Sequence, residues 1–179
     1  MNVSITLPDG SSLEFAAGVT PLQVAESIGP GLARDAVAAR VDGALVDLGV
    51  PLEQDASLEI VTVDSPEGLE ILRHSTSHVM AVAVGSLYDD VKFGIGPAIE
   101  EGFYYDFDLP DAISAEDLER IEEEMGRIVS EQIPFERLEV PKEEARRVMA
   151  QAAQSYKVEL IDEIEDGGLS LYRTGDFVD

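Results

Sequence analysis

The order of short elements in residues 2–63 most constrains the fold of this chain. Residues 2–7 alternate apolar and polar side chains, and the turn-forming residues 8–10 (Pro-Asp-Gly) follow. The alternation resumes at Leu13 and Phe15. Because strand side chains point to opposite faces in turn, this pattern predicts a β-hairpin.

A short helix follows the hairpin. Thr20 has the residue type of an N-cap, Pro21 stands at the first helical position, and Gln23 completes a capping box. The helix is predicted to end at residues 29–31 (Gly-Pro-Gly). Strand-like segments come next, at residues 36–41, 44–46 and 58–63. The resulting ββαβββ order predicts a β-grasp sheet that is covered on one face by the helix.

Turn-forming residues 64–68 (Asp-Ser-Pro-Glu-Gly) interrupt this pattern, so the sequence predicts two domains, at 1–64 and 65–179. The second has mixed helical and strand periodicity and is predicted to be α+β. Its predicted helices cover 69–85, 115–132 and 141–153, and its predicted strands cover 92–97, 102–107, 135–140 and 156–161.

Composition excludes several kinds of chemistry. The chain has no cysteine, so disulfides and thiolate chemistry are excluded, and His74 and His78 are its only imidazoles. A formal net charge of −25 repels a phosphate backbone, so any RNA that the protein serves is expected to be held elsewhere. The sequence has no apolar run of membrane-spanning length and no secretion signal, and we expect a cytoplasmic protein without membrane contact.

His74 and His78 are four residues apart and therefore share one face of a helix. Two imidazoles are too few ligands for a zinc site, so we predict no metal here. On spacing alone, two partly exposed helix histidines and a pair that holds water or substrate remain equally good interpretations.

Three other positions are ambiguous by themselves. Gly96 belongs to a glycine-rich segment that suits either a backbone-lined ligand edge or a bulged strand end. Tyr105 follows another tyrosine, so strand alternation would turn one ring to the core and the other to a pocket. Lys157, in a predicted strand, is either a buried acid–base group or a member of an ordinary ion pair.

Taken together, several segments occur in the order seen in threonine–tRNA ligases, which are class II aminoacyl-tRNA synthetases. The segments are residues 5–11, 28–33, 73–78, 95–97, 102–106 and 155–159. The chain resembles the N-terminal part of these enzymes over essentially its whole length. The resemblance implies a TGS (β-grasp) domain, followed by the editing domain that hydrolyses seryl-tRNA formed by mistake on tRNA(Thr).

The resemblance also implies roles for individual residues. His74 would position the terminal ribose or the water nucleophile, Lys157 would polarise or protonate the leaving oxygen, and Asp179 would orient the water. His78, Tyr105 and Gly96 would bind the substrate.

The family continues beyond the position of Asp179 with a Cys-x-x-x-His element that completes its editing pocket. We therefore expect a fragment that cannot aminoacylate and edits weakly or not at all by itself. The implied catalytic core, with its ATP, magnesium and zinc, would lie outside these residues, which need no cofactor of their own. The implied partner is tRNA(Thr) with its seryl ester, and the implied full enzyme is a homodimer. A non-catalytic binding or regulatory module and a free-standing hydrolase remain alternative interpretations.

Overall fold

The structure is a computed structural model that describes residues 1–165 and 168–179. It divides into two compact units, Met1–Leu72 and Arg73–Asp179. The division lies inside a helix that begins at Pro66, past the predicted boundary after residue 64. The part of this helix up to Leu72 belongs to the first unit. Its start is tied to the preceding strand by the Ser65 hydroxyl, which accepts from the Gly68 amide and donates to the Thr62 carbonyl.

The first unit is a five-stranded mixed sheet with two helices. Its elements are β1 (Asn2–Thr6), β2 (Ser12–Ala16), α1 (Pro21–Ile28), α2 (Pro30–Asp35), β3 (Ala36–Val41), β4 (Ala44–Val46) and β5 (Ala56–Thr62). The strand order is β2-β1-β5-β3-β4. Strands β1 and β5 are parallel and the other neighbours are antiparallel. This topology confirms the predicted β-grasp sheet.

Local sequence explains these elements. The Thr20 hydroxyl accepts from the Gln23 amide while the Gln23 side chain accepts from the Thr20 amide, so the predicted capping box of α1 is present. The core lies between α1 and the sheet, and its fully buried members include Ile5, Val24 and Leu58. Helix α2 was not predicted, because its six residues contain two helix-disfavouring types, Pro30 and Gly31, and no buried apolar face.

The described residues of the second unit form four helices, one of which begins in the first unit, and short strands. Its elements are α3 (Pro66–Leu87), β6 (Lys92–Phe93), β7 (Ala98–Ile99), β8 (Gly102–Phe103), β9 (Phe107–Asp108), α4 (Ala115–Ser130), β10 (Phe135–Pro141), α5 (Lys142–Gln151), α6 (Ser155–Glu163), β11 (Gly168–Thr174) and β12 (Phe177–Val178). Strands β10, β11 and β12 form one antiparallel sheet in that order. Two small antiparallel ladders pair β6 with β9 and β7 with β8.

The prediction of a strand at residues 156–161 was wrong, because this segment lies in helix α6. Tyr156, Val158 and Leu160 alternate as in a strand, but the contacts that decide the outcome are helical. Val158 and Ile161, three residues apart, pack together into the core formed by α5 and β11. Lys157 is therefore on a helix.

Strands β11 and β12 were missed, although Leu169 and Leu171 alternate with polar residues in β11 and the turn at 175–176 separates the two strands. The strand predicted at 92–97 is shorter than expected, and the one predicted at 102–107 is divided into β8, which pairs with β7, and β9. Strands β6 and β9 pair with each other. Their pairing continues past β6 and β9 through hydrogen bonds from the Gly94 amide to the Asp106 carbonyl and from the Asp106 amide to the Ile95 carbonyl.

Among its described residues, the second unit has two clusters of buried apolar side chains. One joins α3 and α4 to the aromatic residues Phe93 and Tyr105, and the other joins α5, α6 and β11. Within the described ranges, none of the helices combines the length and the apolar composition that crossing a membrane would take.

Candidate functional site

Helix α3 presents both imidazoles of the second unit on one face. The Nε2 atoms of His74 and His78 are 3.2 Å apart, and the rings meet edge to face with their centroids 4.7 Å apart. His78 is buried, with 8% of its surface exposed. The rings of Phe135 on β10 and Tyr172 on β11 lie 6.3 and 6.2 Å from that of His78. His78 is thus enclosed by aromatic side chains.

The carboxylate of Asp179 is the centre of the site. Its Oδ1 forms an ion pair with Lys157 Nζ, and its Oδ2 accepts a 2.7 Å hydrogen bond from the Tyr105 hydroxyl. His78 Nδ1 lies 3.6 Å from the same Oδ2. Asp179 is itself fixed through its backbone, which exchanges two hydrogen bonds with Tyr172.

Lys157 reaches this carboxylate from helix α6. Its side chain is 15% exposed and that of Asp179 is 8% exposed, so the ion pair is largely shielded from water. Lys157 Nζ also lies 5.4 Å from the centre of the Tyr105 ring, in the range of a cation–π contact. The sequence left an ion pair and an acid–base role open for this lysine, and the structure shows the ion pair.

Gly96 and Tyr105 are in direct contact. A Cβ atom at Gly96 would lie 2.1 Å from Cδ2 of the Tyr105 ring, which leaves no room for any side chain. The backbone at Gly96 therefore packs directly against the Tyr105 ring. Tyr105 is buried, and Tyr104 is 42% exposed, which agrees with the predicted alternation of the two rings.

Burial and the local charges set the protonation of the site. Burial lowers the pKa of His78, with smaller lowering effects from His74 and Lys157, while the negative charge of Asp179 acts in the opposite direction. Burial raises the pKa of the Tyr105 hydroxyl, and Asp179 raises it further. At neutral pH the site thus holds a neutral imidazole at His78 and a neutral phenol beside the ion pair.

These contacts indicate which ring nitrogen of each histidine carries a proton. Because Asp179 Oδ2 faces His78 Nδ1, the proton of neutral His78 is best placed on Nδ1. His78 Nε2 then accepts from His74 Nε2–H, which leaves a lone pair on His74 Nδ1. The arrangement can accept a proton at His74 and hold polar groups of a ligand, with an ammonium group nearby.

All six predicted site residues lie in the second unit, and contacts link them into one cluster. One further residue, Ser77, was missed, although it stands inside the motif of residues 74–78. Ser77 is fully buried, and its hydroxyl lies 2.7 Å from the His74 carbonyl and 2.8 Å from the Gly96 carbonyl. Ser77 follows His74 by three residues and therefore lies on the same side of the helix as His74, and this was the only signal in the sequence. In the residues that the structure covers, no three His, Asp or Glu side chains are arranged to hold a metal ion.

Comparison with known proteins adds two findings. Residues 3–62 match the TGS domain family, so the first unit contains a TGS domain. The threonine–tRNA ligase of Desulforamulus reducens is 50% identical over 178 residues, which is 99% of this chain and 28% of the relative. Those of Acetivibrio thermocellus (51%, with 99% and 28% covered) and Rubrobacter xylanophilus (53%, with 98% and 27% covered) are similarly close. The chain spans little more than a quarter of the length of these relatives.

Proposed function

Because the chain corresponds over nearly its whole length to the N-terminal region of threonine–tRNA ligases, we propose that its second unit hydrolyses seryl-tRNA(Thr) as the proofreading site of such a ligase. Under this proposal ATP, magnesium, zinc and the contacts of a homodimer belong to other parts of the ligase. The partner of the whole enzyme is tRNA(Thr), and the substrate of this site is its seryl ester.

The reaction has a physical reason. Serine lacks one methyl group of threonine, and a difference of that size is worth only about 10- to 200-fold in a binding pocket. A synthetic site that selects threonine therefore charges some serine. A second site that hydrolyses the smaller ester removes the error.

The observation that carries the proposal is the set of contacts on Asp179, which gathers Lys157, Tyr105 and His78 around one buried carboxylate. Ester hydrolysis needs an oriented water, an acceptor for its proton and a donor for the leaving ribose oxygen. In the proposed mechanism His74 accepts the proton at Nδ1, and Lys157 stabilises and protonates the leaving oxygen. Asp179 orients the water, and Tyr105 and Gly96 line the pocket.

The test uses a chimera in which these 179 residues replace the matching segment of the Acetivibrio thermocellus ligase. The chimera is expected to deacylate seryl-tRNA(Thr) much faster than threonyl-tRNA(Thr). Lys157→Ala should slow this hydrolysis by about 100-fold, since general acid–base groups contribute at least that much. Charging with threonine should not change.

Lys142→Ala is the matched control, because Lys142 lies on α5 and donates to the carbonyls of Asp162 and Ile164, away from Asp179. It should leave hydrolysis unchanged. A chimera that charges tRNA with threonine but does not deacylate seryl-tRNA(Thr) would overturn the proposal and favour a binding module. Rapid hydrolysis by the 179 residues alone would favour a free-standing hydrolase.

A further inference from the structure

Ser77 links two segments of the second unit that carry different parts of the site. It lies on α3 between His74 and His78, and none of its surface is exposed. Its hydroxyl oxygen lies 2.7 Å from the His74 carbonyl oxygen, in the same helix, and 2.8 Å from the Gly96 carbonyl oxygen, in the segment after β6, so its one proton is shared between the two acceptors. The second contact joins α3 directly to residues 94–97, the glycine segment.

The glycine segment in turn holds the Tyr105 ring. Because the ring fills the space that a Cβ atom of Gly96 would need, any shift of Gly96 away from α3 changes the support of that ring. The Tyr105 hydroxyl donates to Asp179 Oδ2, the atom that faces His78. A continuous series of contacts therefore runs from Ser77 through Gly96 and Tyr105 to Asp179.

We propose that Ser77 is a positioning residue of the site. It fixes the Gly96 carbonyl against α3 and thereby keeps Tyr105 and Asp179 at their positions relative to the two histidines. The proposal rests on the proposed hydrolytic function for its effect on rate, but its structural part can be tested without substrate. Ser77 acts through Gly96 and does not itself touch the reacting atoms.

A local role is the competing explanation, since a buried serine in a helix can satisfy its hydroxyl on the carbonyl one turn earlier. Ser86 provides a matched control on the same helix. Its hydroxyl also bonds the carbonyl three residues earlier, Ala83, at 2.9 Å, and makes one contact outside the helix, with Glu124 at 2.9 Å. Ser77→Ala and Ser86→Ala remove the same group from the same helix and differ in the partner that is lost. They also differ in burial, since Ser86 is exposed, and an internal reference amide is therefore needed.

Amide hydrogen exchange of the 179-residue chain tests the structural part. The Asp106 amide donates to the Ile95 carbonyl at 2.9 Å and reports on the glycine segment. The Ala152 amide, bonded to Val148 at the end of α5, is the reference for general destabilisation of the unit. Ser77→Ala should increase exchange at Asp106 about tenfold relative to Ala152, as expected for the loss of one hydrogen bond. Ser86→Ala should leave this ratio unchanged. Equal ratios in the two variants would overturn the proposal.

Hydrolysis of seryl-tRNA(Thr) by the chimera tests the functional part. Ser77→Ala should lower kcat about tenfold or more with little change in KM, because a misplaced site group affects the transition state more than binding. An unchanged kcat would overturn the positioning role. If the unmodified chimera fails to hydrolyse the ester, the proposed function is wrong, and the exchange ratio alone decides whether Ser77 holds the glycine segment.

Discussion

At the scale of single residues, the site depends on a buried charge that is fully compensated. Asp179 and Lys157 neutralise each other where little water reaches them, and Tyr105 adds a hydrogen bond to the carboxylate. Such a pair contributes little net stability, but removing one partner leaves the other charge buried and unpaired. The two residues should therefore depend strongly on each other.

A double-mutant cycle tests this dependence. Asp179→Asn and Lys157→Met should each lower the free energy of unfolding by about 3 kcal/mol, and the double variant should lose much less than the sum. Urea unfolding can be monitored by tyrosine fluorescence, because all five tyrosines lie in the second unit and the chain has no tryptophan. The exposed pair Arg146–Asp162 is the control, and Asp162→Asn should cost less than about 1 kcal/mol. Additive losses at Lys157 and Asp179 would contradict the prediction.

The lowered pKa of His78 predicts a pH dependence of stability. The folded state keeps this imidazole neutral below pH 6.5, the usual pKa, while the unfolded chain takes up the proton. The unfolded state is therefore favoured as the pH falls from about 6.5 towards the lowered pKa of the folded state, and stability rises again as the pH is raised.

The groups that face His78 are Asp179, His74 and Lys157, and burial outweighs the attraction of Asp179. NMR titration should give His78 a pKa below 6.5. Between pH 6.5 and pH 5 the unfolding free energy of the unmodified protein should fall, and in His78→Gln it should fall less. The difference should be at most about 1.4 kcal/mol per pH unit. A measured pKa above 6.5 would show that the carboxylate dominates.

Residue types and spacing predicted only part of the site. The interval between His74 and His78 predicted their shared helix face, because that geometry is local to one helix. The position of Asp179 beside Lys157 depends on how β12 and α6 pack, which no local pattern encodes. Family resemblance implied that both residues belong to the site but not that they form an ion pair with each other. Ser77 was missed because its decisive partner, Gly96, is distant in sequence.

At the scale of elements, α1 and α4 were predicted from their capping signals. Helices α3 and α5 were also predicted, although α5 has no side-chain cap, whereas α2 and α6, which have none either, were not predicted as helices. Helices α1 and α4 begin at the expected Thr20 and Ser114, where both capping boxes are present. Helix α6 follows Gln154, whose side chain makes no cap and instead bonds to the backbone of Val91 and Phe93. Its start is thus determined by tertiary contacts, and a strand was predicted in its place.

The cap of α4 should contribute measurably to stability. The Ser114 hydroxyl accepts from the Asp117 amide, and the Asp117 carboxylate accepts from the Ser114 amide. Ser114→Ala should lower the free energy of unfolding by about 1 kcal/mol, the usual value for an N-cap. Ser130→Ala, in the last turn of the same helix, should change it by less than about 0.5 kcal/mol. Both effects are measured by urea unfolding. Equal losses at the two positions would show that the cap contributes no more to stability than an ordinary surface hydroxyl.

At the scale of the whole molecule, the excess of acidic residues is the dominant property. The 37 acidic and 12 basic side chains give a net charge of −25, and ion pairs such as Arg40–Glu67 and Arg127–Glu124 use only some of the acids. The remaining exposed carboxylates repel one another in the compact state. Both units nevertheless have well-buried apolar cores, so hydrophobic burial must exceed this repulsion.

Salt should therefore stabilise this protein. Charges are screened beyond about 30 Å at 0.01 M salt and beyond about 4 Å at 0.5 M, so added NaCl weakens the long-range repulsion more than the close ion pairs. Raising NaCl from 0.01 to 0.5 M should increase Tm by about 4 °C, equivalent to ~1 kcal/mol. The double variant Glu122→Gln/Glu123→Gln removes two charges from the exposed face of α4. It should raise Tm at low salt and reduce the effect of NaCl on Tm. A Tm that falls with NaCl would mean that favourable ion pairs outweigh the repulsion. Screening lowers stability only where the charges that it weakens attract each other.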